Sequence, residues 1–368
     1  MKSLFKSLHR YVSLAFASVW LVQALTGVLM VFHWELDDAL VAGEHRPLSV
    51  RELGDAAQRV QAQHPHARLT ALYATAGAPD RFDLYLEDAA GRTDIVRVDG
   101  AGRALLERPL DHDYARAGFI QAAIVMHQTL FAGDRGKLFI GCSGIVLFSN
   151  ILMGLVLAWP RRRDWKRALL PTATRQRVAN LFAWHRACGL WLALPAMVLV
   201  GAGAMLAFEG PVEAFFGTDA APPELATVPA SQVDSLTTAI VTPAVALQRG
   251  LDRFPTATLA SLRMPAPGAP WYRVRVRQPG EAARVYGTTA IYVSAVDGRV
   301  LAVDDPLRAG LNRRGVDALY PLHTGEIGGW LGRLVSLSVA LWLLGMLVLG
   351  VSLWSGRRRS RRVLSAVT

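Results

Sequence analysis

Nine histidines are spread through the 368-residue chain, and four of them fall in a pattern that chemistry could use. His9 sits in Leu8-His9-Arg10 and His185 in Trp184-His185-Arg186, each opening an apolar run. His127 and His323 each precede a later apolar run at equal spacing. Histidines repeated at one register supply two neutral nitrogen ligands in each of two pairs. Two imidazoles on opposite faces of one haem iron leave no open position, which is electron-transfer chemistry. Zinc fits poorly, because two histidines without a nearby carboxylate or thiolate are too few. Structural histidines and a proton relay are the competing readings. His33 closes the first apolar run, but its counterpart in the second copy is Glu209, so symmetry gives it no partner. His45, His64, His66 and His112 lie in polar sequence and read as solvated surface.

The elements that must position these residues are apolar and long. Residues 11–33, 138–159, 187–208 and 334–354 contain no Lys, Arg, Asp or Glu. Each matches the roughly 20 residues that cross a bilayer as a helix. The first is longer than a signal-peptide core and reads as a retained helix. The composition agrees: 52% hydrophobic, only 19% charged, mean hydropathy +0.26. Two cysteines, Cys142 and Cys188, cannot build a disulfide framework or a four-cysteine cluster, and both sit in apolar runs.

Basic residues set the orientation. Lys2, Lys6 and Arg10 precede the first span, Arg161, Arg162, Arg163, Lys166, Arg167, Arg175 and Arg177 link the second to the third, and Arg357, Arg358, Arg359, Arg361 and Arg362 follow the fourth. These three places belong on the cytoplasmic side, and the two long connections on the other. The net charge of +11 is thereby explained without nucleic acid.

The chain reads as two tandem copies of one unit. From the first histidine anchor, Gly27 aligns with Gly203 and Phe32 with Phe208 without a gap. From the second, Lys137 matches Arg333, Gly154 matches Gly350 and Arg161 matches Arg357. Two spans per copy give parallel repeats about an axis along the membrane normal, which lets His9 face His185 and His127 face His323. Arg135, Lys137 and Arg333 are placed to pair with haem propionates or simply to snorkel.

The outer connections repeat as well. Residues 50–63 and 242–253 read as amphipathic helices closing on Pro65 and Pro255. Alternating strands follow at 81–86 and 271–276, then hairpins at 95–106 and 291–303 around Asp99-Gly100 and Asp297-Gly298. The expected fold is therefore a mainly α membrane protein of four transmembrane helices in two tandem repeats, with two outer α+β modules. Its first copy comprises a span (1–35), an outer module (36–113), and an interfacial helix with the second span (114–160). A basic loop (161–183) leads to the third span (184–210), the second module (211–318), an outer turn with the fourth span (319–356), and a basic tail (357–368).

With these motifs in place, the chain resembles the PepSY-associated transmembrane family. The resemblance rests on Leu8-His9-Arg10, Trp184-His185-Arg186-Ala187-Cys188-Gly189-Leu190, Met126-His127-Gln128-Thr129-Leu130-Phe131-Ala132-Gly133 and Leu322-His323-Thr324-Gly325-Glu326-Ile327-Gly328-Gly329. The outer modules are similar to the small PepSY module. Members resemble inner-membrane ferric-siderophore reductases that carry b-type haem. The resemblance implies two haems per chain, ligated by His9, His185, His127 and His323, with His33 a further candidate. It also implies termini in the cytoplasm, periplasmic modules and reduction of a periplasmic ferric siderophore. The chain has no flavin or nicotinamide fingerprint, so electrons would come from a cytoplasmic reductase or quinol. A homodimer is compatible with these features. The alternative is a non-redox membrane regulator that binds peptide or a protease through its outer modules.

Overall fold

The computed structural model describes residues 2–218, 225, 241–281 and 286–367, with side chains from Ser3 to Arg359. The Lys2, Arg361 and Arg362 side chains, and most of 219–240 in the second outer segment, lie outside the described residues. Two compact units emerge, and each draws on both halves of the sequence.

The helical unit comprises Met1–Val31, Ala123–Glu209 and Leu319–Thr368. Three of its helices, Gly133–Ala158, Arg177–Ala207 and Glu326–Arg359, are long and apolar enough to cross a membrane. The first apolar run differs from the single helix expected over 11–33. It is two helices, Lys2–Ala15 and Ala17–Met30, and a bend of 64° separates Ser3–Ala15 from Ala17–Met30. No proline or glycine marks this break. Ser13 Oγ donates to the His9 carbonyl at 2.7 Å, a back-bond of the kind that bends helices just upstream of Phe16. His33 falls beyond the pair, as the first residue of a separate short helix, His33–Ala39.

Trp20 occupies the centre of this unit with 2% of its surface exposed, among Leu147, Ile151, Ala193, Ala196 and Val339. Its indole N–H donates to Ser143 Oγ at 3.1 Å, so the buried polar group is satisfied.

The second unit, Phe32–Ala122 and Gly210–Ala318, holds one antiparallel sheet. Its strands are β1 (Ala67–Ala74), β2 (Arg81–Asp88), β3 (Thr93–Asp99), β4 (Ala104–Pro109), β5 (Thr258–Arg263), β6 (Trp271–Arg277), β7 (Thr289–Ser294) and β8 (Val300–Asp304). The spatial order is β4-β3-β2-β1-β5-β6-β7-β8. Two outer modules were expected; instead, β1 and β5 pair through Ala71–Arg263, Leu72–Leu262 and Tyr73–Ser261, and join the two segments into one eight-stranded sheet. Helices Val50–Gln63 and Pro243–Arg253 start at side-chain caps, Ser49 Oγ accepting from Glu52 N–H and Thr242 Oγ1 from Val245 N–H. Both cover one face, where Leu53, Val60 and Leu247 meet Leu72, Phe82, Leu84, Leu262 and Val274.

The opposite face of β2 and β3 is charged and buried. Arg97, 1% exposed, donates from Nε and Nη2 to both Asp83 oxygens at 2.7 and 2.9 Å, and from Nη2 to Asp37 at 2.8 Å. Arg108 grips Asp37 in a two-pronged pair at 2.8 and 2.7 Å, and Arg81 reaches Asp38 at 2.8 Å. Helix His33–Ala39 is thus clamped to the sheet by ion pairs. Burial alone would raise the Asp37 pKa. Hydrogen bonds and charge from Arg108 and Arg97 outweigh it and hold the carboxyl below its usual range.

Candidate functional site

The four repeated histidines all lie in the helical unit and meet in pairs. The rings of His9 and His185 are 6.3 Å apart between centroids, inclined at 61°. Those of His127 and His323 are 6.2 Å apart, inclined at 41°. His9 rides Lys2–Ala15 and His185 rides Arg177–Ala207, while His127 and His323 stand on the short helices Phe119–Thr129 and Leu319–Thr324. After His127 the chain turns through Leu130 and Phe131 at φ 50° and 59°, the left-handed region. After His323, glycines hold that conformation, Gly325 at 83° and Gly329 at 56°.

Each ring lies against a glycine on a neighbouring helix. A Cβ built on Gly203 would come 2.5 Å from His323 Cε1, and one on Gly154 would come 3.0 Å from His9 Cε1. Gly27 and Gly350 stand similarly to His127 and His185, at 3.5 and 3.6 Å. Gly27 and Gly203, and Gly154 and Gly350, are the pairs that the expected repeat would align. At Gly203 and Gly154 the lack of a side chain is what admits the imidazole, whereas a methyl group at Gly27 or Gly350 would make an ordinary contact.

Hydrogen bonds fix three of the rings. His323 Nδ1 donates to the Leu199 carbonyl at 2.8 Å and His9 Nδ1 to the Asn150 carbonyl at 3.1 Å. A carbonyl only accepts, so Nδ1 carries the proton in both. His127 Nδ1 lies 2.9 Å from Thr26 Oγ1, whose own proton goes to the Val22 carbonyl at 2.7 Å. His127 therefore donates as well. With Nδ1 engaged, Nε2 is the nitrogen left to take a ligand, the arrangement by which carbonyl partners orient ligating histidines. His185 differs: its Nδ1 is buried with no hydrogen-bond partner in the structure.

Two imidazoles bound to one ion through bonds of about 2 Å would have ring centroids about 6 Å apart. Both observed separations meet that requirement. Among the described residues no cluster of three or more His, Cys, Asp or Glu could hold a bare metal ion. Two histidine nitrogens per pair, set against glycines, are a donor set that could hold a haem.

The other sequence candidates are placed differently. His33 is buried in the sheet unit with its ring 4.4 Å from Trp34. Arg333 donates from Nε and Nη2 to the Val31 carbonyl at 3.1 and 2.6 Å, capping the end of Ala17–Met30. Arg135 is exposed in the first turn of Gly133–Ala158. Cys142 and Cys188 are free thiols. Thr26 and Asn150 are polar residues within the apolar runs, and both anchor histidines, Thr26 through its hydroxyl and Asn150 through its backbone carbonyl.

Apolar helices long enough to span a bilayer, together with a separate antiparallel sheet domain, define a membrane protein with an added β domain. The chain belongs to the PepSY-associated TM region family, which matches residues 6–357. No curated protein gives a significant match to the sequence.

Proposed function

We propose that the chain is a b-type haem electron carrier of the bacterial inner membrane that reduces a periplasmic ferric siderophore, releasing Fe(II) for uptake. The observation that supports this reading best is the pairing of His9 with His185 and His127 with His323 at separations of 6.3 and 6.2 Å. On this reading four spans, the bent first pair counted as one, form two tandem copies with both termini in the cytoplasm. Bound haem, held by one histidine from each copy, supplies reversible one-electron carriage.

The chain's residues prepare for that role in three ways. Gly203 and Gly154 make room for His323 and His9. Thr26 and the carbonyls of Asn150 and Leu199 hold the proton on Nδ1, which keeps Nε2 unprotonated. The apolar core around Trp20 packs together the helices Ala17–Met30, Gly133–Ala158 and Arg177–Ala207. One electron from a cytoplasmic reductase or quinol converts Fe(III) to Fe(II), which hard oxygen ligands hold less tightly.

Membranes from an overexpressing strain should be red, with a split b-type spectrum. Dithionite-reduced protein should be re-oxidised by a ferric siderophore, with Fe(II) trapped by a ferrous chelator. Colourless membranes, or reduced protein inert to a panel of ferric siderophores, would overturn the proposal.

A further inference from the structure

The sheet face opposite helices Val50–Gln63 and Pro243–Arg253 carries a groove of about 600 Å³ at the β1–β5 seam. Strand alternation puts Leu72, Leu84 and Leu262 in the core and sends Tyr73, Tyr85 and Arg263 to this other side. Both seam strands are irregular, with register shifts between Leu69 and Ala71 and between Leu259 and Ser261. Such bulges bend strands and re-aim side chains, and here the two strands pair over only three residues before diverging. The opening beside them is floored by Ala71 and Ala266.

One wall is aromatic. Tyr73 meets Tyr85 at 5.3 Å and Tyr286 at 5.6 Å, and Tyr286 meets Trp34 at 5.7 Å, all edge to face. Burial pushes the Tyr85 phenol above its usual range, so it stays a neutral group. The charged lining is Arg68, Glu87 and Arg263. Glu87 stands opposite Arg68 across the β1–β2 pair, and Arg273 stands opposite Arg263 across β5–β6. The surplus charge of the lining is therefore positive, on Arg263, with Arg273 beside it on β6. Arg263 Nε already donates to Tyr73 OH at 3.3 Å, which aims the guanidinium along the aromatic wall.

We infer that this groove binds an aromatic anion, the aryl arm of an oxygen-donor metal chelate, with Tyr73, Tyr85 and Tyr286 contacting the ring and Arg263 its anionic oxygens. Aromatic rings recognise one another at these spacings, and guanidinium groups pair strongly with anionic oxygens. A concave site with a few convergent polar groups is the usual form of a small-molecule site. The inference rests on the proposed reductase for the purpose of binding, but not for the binding itself.

Calorimetry on the full chain in detergent tests it, using gallium(III) chelates, which bind without being reduced. The trianionic gallium tris-catecholate should bind, and the neutral gallium chelate of acetohydroxamate should bind at least tenfold more weakly. Arg263→Ala, at an exposed position, should weaken the first chelate roughly tenfold, as expected for loss of one charge-assisted hydrogen bond. Tyr73→Ala should also weaken it, and circular dichroism would verify that the sheet persists. Equal affinity for the two chelates, or an unchanged affinity in Arg263→Ala, would overturn the inference. So would free catechol, uncharged near neutral pH, binding as tightly as its gallium chelate. Colourless protein that still binds leaves the groove intact and ends the redox reading; red protein that does not bind does the reverse.

Discussion

His323 rests directly on Gly203, so closely that a single methyl group on the glycine would lie 2.5 Å from the imidazole. The same substitution at Gly27 would leave 3.5 Å to His127, an ordinary contact. Gly203→Ala should therefore push His323 out of place and cost about 1–3 kcal/mol by overpacking. Gly27→Ala should cost far less. Thermal unfolding of the two variants checks the contrast, and similar midpoints would mean that His323 can retreat freely.

Thr26 holds His127 by accepting its Nδ1 proton at 2.9 Å. Thr26→Val keeps the shape and removes the acceptor, leaving a buried N–H at a cost of about 1–3 kcal/mol. Thr26→Ser restores it. On the haem reading, the valine variant should also shift the outer absorption band while the serine variant does not. A band that moves equally in both would argue against the hydrogen bond.

The four histidines can be separated by spectroscopy. On the haem reading, His9→Ala or His185→Ala should abolish one low-spin haem and spare the other, and His127→Ala or His323→Ala should do the converse. Retention of both haems in unchanged form by any one variant would end that pairing.

Asp37 gives a pH dependence with a definite sign. Its pKa is lower in the fold than in the unfolded chain, because the hydrogen bonds and charge of Arg108 and Arg97 exceed the opposing effect of burial. The stabilisation is thus complete above the ordinary carboxylate value of about 4 and is lost as pH falls through the lower, folded value. The sheet unit should unfold more readily below about pH 4. Asp37→Asn leaves Arg97 and Arg108 under-compensated and should cost about 3–5 kcal/mol at neutral pH. Its loss on acidification should be shallower than that of the parent protein when followed by chemical denaturation.

Reporter fusions examine the proposed orientation. Fusions at residues 170 and 365 should report the cytoplasm, and fusions at 90 and 280 the opposite side. An external signal at 170 would invert the membrane arrangement and the direction of electron flow.

Much of this architecture could be read before any coordinates. The proximity of His9 to His185 and of His127 to His323 was legible because these histidines stand at equal spacing from apolar runs. Helix Val50–Gln63 and the hairpins of β3–β4 and β7–β8 were visible through amphipathic period and Asp-Gly turns. Strands β1 and β5 were not. Each contains a register shift that breaks the alternation by which a strand is recognised, at Leu69/Ala71 and Leu259/Ser261. The bend at Phe16 was hidden because none of its neighbours is a helix breaker. The anchors at Asn150 and Leu199 are backbone carbonyls, which every residue carries, so no side-chain pattern could announce them.

The β1–β5 seam also bears on how the chain is made. Arg263 and Tyr73 touch across 190 residues of sequence. Two helices apolar enough to enter a membrane, Gly133–Ala158 and Arg177–Ala207, are synthesised between them. The first four strands must therefore wait, with β1 an open edge exposing unpaired backbone groups, until the second half emerges. Long-range closure of this kind is slow, and the waiting edge is a template for pairing with other chains. Biogenesis, rather than the finished fold, is where this sheet is most vulnerable: truncation before residue 258 should yield an aggregation-prone product even though the helices up to Pro243–Arg253 are present.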